Sequence, residues 1–198
     1  MNMELNLDLN RQYTYADYLT WADDKMRELL NGFVRMMSPA PALKHSVVSQ
    51  RLFVSMYNFV ERNGGGCQVF HAPFDVRFPK NPDLTANDQI YTVVQPDICV
   101  VCDTSKLDER GCLGAPDMVV EILSPSSIQY DMKVKFDIYE AGGVKEYWVI
   151  SPKEKGIIAF ILQDNGKYGK GTVYEWDAQA PIHTLTGLTI STETLFKD

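Results

Sequence analysis

Nothing in this sequence approaches the roughly 20 consecutive apolar residues that a helix needs to cross a bilayer. The stretch from Met1 to Gln12 lacks the basic region and following apolar run of a signal peptide, so the expected location is cytoplasmic, with no membrane partner. Positive charge is also scarce. Lys and Arg number 19 against 26 Asp and Glu, giving a formal net charge of −7. That excludes a protein that coats nucleic acid by bulk charge, though not one with a local basic groove. Histidine is confined to His45, His71 and His183, and no Ser-His-Asp arrangement is readable. Gly64-Gly65-Gly66 lacks the Lys and Ser/Thr of a phosphate loop and reads as a helix stop. Cys67, Cys99, Cys102 and Cys112 are expected to be free thiols in a chain of this size without an export signal. Cys99-Val100-Val101-Cys102 is formally CxxC, but no second such pair exists. Residues three apart on a strand also face opposite ways, which argues against zinc.

What is present suits a globular α/β protein. The 198 residues are 45% hydrophobic and 23% charged, enough to bury a core in one domain. With no low-complexity linker and no internal repeat, residues 1–198 are expected to form a single domain, with 1–12 loose. Thr14 or Asp17 can cap a helix that runs unevenly through Trp21, Met26 and Leu29 until Asn31-Gly32. Phe33 to Met37 is a strand candidate, and Ser38-Pro39-Ala40-Pro41 a turn. Apolar spacing from Leu43 to Arg62 predicts an amphipathic helix. Strands are predicted over Gln68–His71, Phe74–Phe78, Asp97–Cys102, Asp117–Leu123 and Glu146–Ile150. Loops are expected at Pro79–Asp88 and Asp103–Pro116. A helix is expected from Ser124-Pro125-Ser126-Ser127 to Gly142-Gly143. The last third reads as strands, Ile157–Leu162, Thr172–Trp176 and Leu188–Ile190.

The chemistry concentrates between Asp97 and Tyr139. Alternation along the strand puts Asp97 on one face with Cys99 and Val101. Glu121 sits inside Met118-Val119-Val120-Glu121-Ile122-Leu123, where a carboxylate is costly unless paired or metal-bound. At ~100° per residue, Lys135 shares a helix face with Ile128, Met132, Ile138 and Tyr139, and Asp131 lies on the same side. Lys133 falls on the opposite, solvated face with Asp137 and Glu140. Two carboxylates suit Mg²⁺ or Mn²⁺, which activates water and stabilises charge on a phosphodiester. The lysine would orient or help deprotonate that water. A structural Glu121–Lys135 pair without chemistry accounts for the same spacing.

Gln95-Pro96-Asp97-Ile98, Gly114-Ala115-Pro116-Asp117-Met118-Val119-Val120-Glu121-Ile122-Leu123-Ser124-Pro125-Ser126, Asp131, Lys135, Tyr139 and Gly143-Val144-Lys145-Glu146-Tyr147-Trp148 resemble the bacterial "Uma-two" group. These are restriction-endonuclease-like proteins of the PD-(D/E)XK nuclease superfamily, and the resemblance runs from about Asn31-Gly32 through Pro152. It implies a restriction-endonuclease-like core, a central mixed β-sheet flanked by helices, here with a β-rich C-terminal extension. It implies metal acids at Asp97 and Glu121, aided by the backbone carbonyl of Ile122. In the superfamily's commonest pattern a lysine stands two residues after the Glu. Here that position is Leu123, and the matching lysine is Lys135 on the next helix. Relatives commonly carry an acid just after the Asn-Gly turn, where this chain has Phe33.

Asp75 and His45 are additional site candidates. Asp75 sits on a strand expected beside that of Asp97, and His45 matches a family histidine that could touch substrate or pack locally. Arg35, Lys44, Arg51, Arg62, Arg77 and Lys80 could line a phosphate-contacting groove or form a solvated surface. The expected function is a Mg²⁺-dependent endodeoxyribonuclease acting on DNA. The alternatives are a non-catalytic nuclease-fold module that binds nucleic acid or protein, and a hydrolase of another phosphate ester. By analogy with nucleases that cut two strands, the C-terminal strands with Trp176 could form a homodimer interface.

Overall fold

The computed structural model describes residues 5–23, 25–37, 42–64, 66–81, 83–124, 128 and 130–197. The element order is α1 (Tyr15–Tyr18), β1 (Arg27–Leu30), β2 (Phe33–Met36), α2 (Leu43–Asn63), β3 (Gln68–His71), β4 (Val76–Phe78), β5 (Thr92–Val94), β6 (Ile98–Val101), β7 (Leu107–Asp108), β8 (Gly111–Leu113) and β9 (Met118–Ile122). A π-helical turn, Tyr130–Lys135, then leads into α3 (Phe136–Gly142). β10 (Glu146–Ser151), β11 (Gly156–Ile161), β12 (Thr172–Tyr174), β13 (Gln179–Pro181), β14 (Thr189–Ser191) and α4 (Thr192–Phe196) complete the chain.

The architecture is mixed α/β and rich in strands. One six-stranded sheet has the order β2-β1-β5-β4-β8-β7, and a second has β12-β11-β10-β9-β6-β3. Both are mixed, with β4–β8 and β9–β10 parallel and the other pairs antiparallel. The sheets face each other through Val76, Phe78, Val94 and Cys112 on one side and Cys99, Val101, Val119 and Val149 on the other. The other face of the second sheet is covered by Val48, Leu52, Met56 and Val60 of α2 and by the C-terminal segment, including Ile182, Ile190, Leu195 and Phe196. Leu29 and Val93 on the first sheet pack against Tyr13 and Tyr15. Leu7 joins that cluster, and the Asp8 amide donates to the Tyr13 hydroxyl at 3.0 Å.

Two local readings change. The helix opened by Thr14 is only one turn, closed by a capping box between Thr14 and Asp17. The residues before Asn31-Gly32 form β1, and Asn31 (φ 51°) and Gly32 (φ 90°) make the tight turn of a hairpin with β2. The segment expected to be a loop at Asp103–Pro116 contains the β7–β8 hairpin. Gly64 ends α2 in the left-handed conformation, as its position suggested. The Ser38-Pro39-Ala40-Pro41 turn and the Pro125-Ser126-Ser127 helix start lie outside the described residues.

The thiol expectation is also corrected. Cys67 and Cys102 form a disulfide, while Cys99 and Cys112 are free and buried. The β3–β6 ladder pairs Gln68 with Val101, so one further step places Cys67 opposite Cys102. Cys99 packs between the sheets and Cys102 on the α2 side, the opposed facing that argued against zinc. Among the described residues no helix is long and apolar enough to cross a membrane.

Candidate functional site

The β6–β9 register assembles the two acids. Ile98 pairs with Val120 and Cys99 with Val119, so extending the ladder one step sets Asp97 opposite Glu121. Directly opposed residues of an antiparallel pair share a face, and here it is the face that meets the first sheet. The Ile122 amide donates to Asp97 Oδ2 at 2.7 Å, fixing the carboxylate at the end of the sheet. His45, on the first turn of α2, brings Nε2 to 3.2 Å from the same oxygen. Burial would pull the His45 imidazole below its usual range, but the Asp97 carboxylate outweighs it and holds it above.

Glu121 is 4% exposed, as its apolar neighbours implied. Its Oε1 accepts from Lys135 Nζ at 2.8 Å and from the Tyr139 hydroxyl at 2.5 Å. Burial pushes the Glu121 carboxyl well above its usual range, opposed by Lys135 and reinforced by Asp131, Asp97 and Glu28. Lys135 is equally buried, whereas Lys133 is exposed, so the two lysines separate as their spacing required. Burial pulls the Lys135 ammonium down, but Glu121, Glu28 and Asp131 more than offset this and keep it protonated. The face shared by Lys135 is not the one drawn for a regular α-helix. Asp131 is buried with Lys135 as the helix spacing predicts, but across the π turn, with its wider i→i+5 spacing, Ile128 and Met132 are exposed.

Sequence reasoning missed Glu28. It projects from β1, is 2% exposed, and places Oε1 at 2.9 Å from Lys135 Nζ. The same oxygen accepts the Gln95 amide at 2.9 Å, and Oε2 accepts the Tyr130 hydroxyl at 3.3 Å. An acid absent at Phe33 is thus present on the other strand of the hairpin, and Phe33 itself is exposed. The Asn-Gly dipeptide between two four-residue runs is a strong hairpin signal and could have shown that Arg27–Leu30 is a strand.

Asp75 immediately precedes β4 of the first sheet and is not on a neighbour of β6, whose partners are β3 and β9. It accepts Gln95 Nε2 at 2.8 Å and the Tyr15 hydroxyl at 3.2 Å. Gln95 sits where the chain crosses between the sheets and so links Asp75 to Glu28. The cations behave differently from one another. Arg77 is buried against Asp108, and Arg51 donates to the carbonyls of Leu195 and Lys197. Arg35 faces Glu28 across the hairpin and stacks on the Tyr130 ring.

The carboxyl groups of Glu28, Glu121 and Asp131 therefore surround one buried lysine, with Asp97 beside Glu121. Among the described residues no three His, Cys, Asp or Glu side chains are already grouped as a metal cage. Two hard carboxylates with open positions match Mg²⁺, which keeps several waters and binds through one or two carboxylates plus substrate phosphate.

A family described as "Uma2: Putative restriction endonuclease" matches residues 15–193. The chain belongs to the Uma2 family. The match takes in β1 with Glu28 and the strands beyond Pro152, both outside the segment carried by the motifs. The "Uncharacterized protein slr1290" of Synechocystis sp. (strain ATCC 27184 / PCC 6803 / Kazusa) is 28% identical over 155 residues, 77% of this chain and 75% of that protein. The crystal structure described as a "putative nuclease belonging to DUF820" from Anabaena variabilis ATCC 29413 superposes with a TM-score of 0.73. It covers 93% of this Uma2 chain and 97% of its own at 22% identity, which establishes a shared fold.

Proposed function

We propose that this Uma2 protein is a metal-dependent endonuclease that hydrolyses DNA phosphodiester bonds. The observation that carries the reading is the pairing of Asp97 with Glu121 across one step of the β6–β9 ladder, with Lys135 bonded to Glu121. Asp97, Glu121 and the Ile122 carbonyl would hold Mg²⁺ or Mn²⁺. When bound, the ion supplies an activated water and offsets charge developing on the phosphate. Lys135, kept protonated by Glu121 and Glu28, orients the attacking water and phosphate by donating hydrogen bonds; it is not the base. Glu28 positions Lys135, and Asp75 acts through Gln95 on Glu28. His45 orients Asp97, and Arg35 is placed to meet a phosphate at the edge of the site.

The test is cleavage of supercoiled, linear and single-stranded DNA with Mg²⁺, Mn²⁺ or EDTA. Metal-dependent cleavage that disappears in Glu121→Gln is expected. Cleavage in EDTA, or undiminished cleavage by that variant, overturns the assignment. The buried pairing of Lys135 with both Glu121 and Glu28, which satisfies the lysine without substrate, favours one second reading, a non-catalytic nuclease-fold module that binds nucleic acid or protein. Calorimetry showing no Mg²⁺ or Mn²⁺ binding would select it. A cytoplasmic setting and a homodimer through the C-terminal strands near Trp176, which is 46% exposed, belong to the same proposal. Sedimentation of wild type and Trp176→Ala tests the dimer.

A further inference from the structure

The first turns of α2, the end of β10 and α4 enclose a cleft of about 250 Å³. Its floor is apolar, and Lys44, Arg51, Lys155 and Lys197 line it without a single acidic residue among the described ones. In a chain of net charge −7, that local balance is a departure from the whole. The cleft is built into the fold: Arg51 Nη1 donates to the Leu195 carbonyl at 3.1 Å and also reaches the Lys197 carbonyl, fastening α4 to α2.

Its position ties it to the carboxylate pair. β9 and β10 run parallel with Ile122 beside Ile150, so Pro152, which lines the cleft, leaves the sheet at the end where Asp97 and Glu121 meet. Lys44 immediately precedes His45, whose ring touches Asp97. The carboxylate site and the basic cleft therefore lie on opposite faces of the second sheet but at the same end of it, joined by the first turn of α2.

We infer that this cleft seats the sugar-phosphate backbone of the DNA strand flanking the cleaved bond. The inference rests on the nuclease reading and extends it to a second contact region. The carboxylate site repels a polyanion, and the cleft provides the cations that counter this within a few nucleotides. Phosphates lie against the lysines while sugars cover the apolar floor, which lowers the local dielectric and strengthens those contacts.

The test measures binding separately from cleavage. Fluorescein-labelled single-stranded and duplex 20-mers are titrated in EDTA by anisotropy at several salt concentrations. Wild type is compared with Lys44→Gln/Lys155→Gln and with the control pair Arg62→Gln/Lys170→Gln, whose side chains are exposed elsewhere. Each lost phosphate contact lowers the salt slope by about 0.7–0.9, so the cleft pair should reduce it by roughly 1.4–1.8. The control pair should leave it near the wild-type value, and unchanged thermal melts show that both variants are folded. A cleft variant with wild-type slope overturns the inference, as does wild-type protein that binds neither oligonucleotide. Equal losses in both pairs also overturn it, because they indicate bulk charge alone. If the cleft-dependent slope appears but no metal supports cleavage, the binding cleft stands and the nuclease reading fails.

Discussion

Removing the Lys135 ammonium should destabilise the protein as well as silence it. That residue is 4% exposed, and its Nζ lies 2.8 Å from Glu121 Oε1 and 2.9 Å from Glu28 Oε1. Lys135→Met keeps the approximate length while stranding two buried carboxylates. Breaking a buried pair in this way costs about 3–5 kcal/mol, because the remaining charge loses its compensation. For a chain of this size each kcal/mol lowers Tm by roughly 2–4 °C, giving an expected fall of about 6–20 °C in buffer with EDTA. Adding Glu121→Gln removes one stranded charge and should recover part of that loss. The pH dependence has a definite sign. Burial raises the Glu121 carboxyl, Lys135 opposes that rise, and Asp131, Asp97 and Glu28 reinforce it. Without Lys135 the folded pKa climbs further above the unfolded value. The folded variant then takes up its proton first and gains stability as pH falls through that pKa. The gap from wild type should therefore be widest at high pH and narrow on acidification. Thermal melts of wild type, Lys135→Met and the double variant across pH provide the check. A fall of under about 2 °C in Lys135→Met, or a double variant no more stable than the single, would refute the charge balance proposed here.

Glu28→Gln should leave Lys135 less well placed and lower metal-dependent cleavage by about 10–100-fold, as loss of supporting hydrogen bonds at metal sites does; wild-type turnover would show that Glu28 does not position the lysine. Glu146 is 1% exposed and accepts from Trp148 Nε1 at 2.8 Å, the His183 amide at 3.1 Å and the Thr184 amide at 2.7 Å. At about 1–3 kcal/mol per stranded donor, Glu146→Ala should cost roughly 3–9 kcal/mol and show it in denaturant melts, with Glu146→Gln milder. Burial would raise the Asp117 carboxyl, but Lys145 and the Cys102 amide outweigh it and hold it low. Its stabilisation is thus complete above an unfolded pKa of about 3.9 and is lost as pH falls through the lower folded value. Asp117→Asn should therefore be less stable at neutral pH and converge with wild type in acid; parallel stability curves would contradict this.

Much of the site was legible because the alternation rule needs only local information. Asp97 facing with Cys99, Glu121 buried, and Lys135 separated from Lys133 all follow from strand or helix periodicity. Glu28 is not legible when Asn31-Gly32 reads as a helix stop, since the strand that carries it is then hidden. The Cys67–Cys102 bond depends on the register of two strands distant in sequence, and spacing alone could not give it. The facing of Ile128 and Met132 failed for another reason, because the π turn alters the angular spacing on which the helix arithmetic depends. The division into two sheets is hidden in the sequence because β5, β7 and β8 are strands of two or three residues, too short for a period-2 pattern to show.

Asp97 and Glu121 keep their spacing through a single rung of backbone ladder, not through the chain that joins them. That chain turns at Glu109-Arg110, an exposed hairpin tip between β7 and β8. Lengthening such a tip is cheap, about 0.6 kcal/mol per doubling of a flexible loop. New segments could be spliced there while the acids stay in place. A one-residue deletion within β9 would be another matter, since it turns Glu121 to the α2 side and presents an apolar neighbour in its place. The fold thus separates a rung that tolerates no slippage from a rim that can be rewritten, which makes the hairpin tip the natural point for grafting new binding specificity.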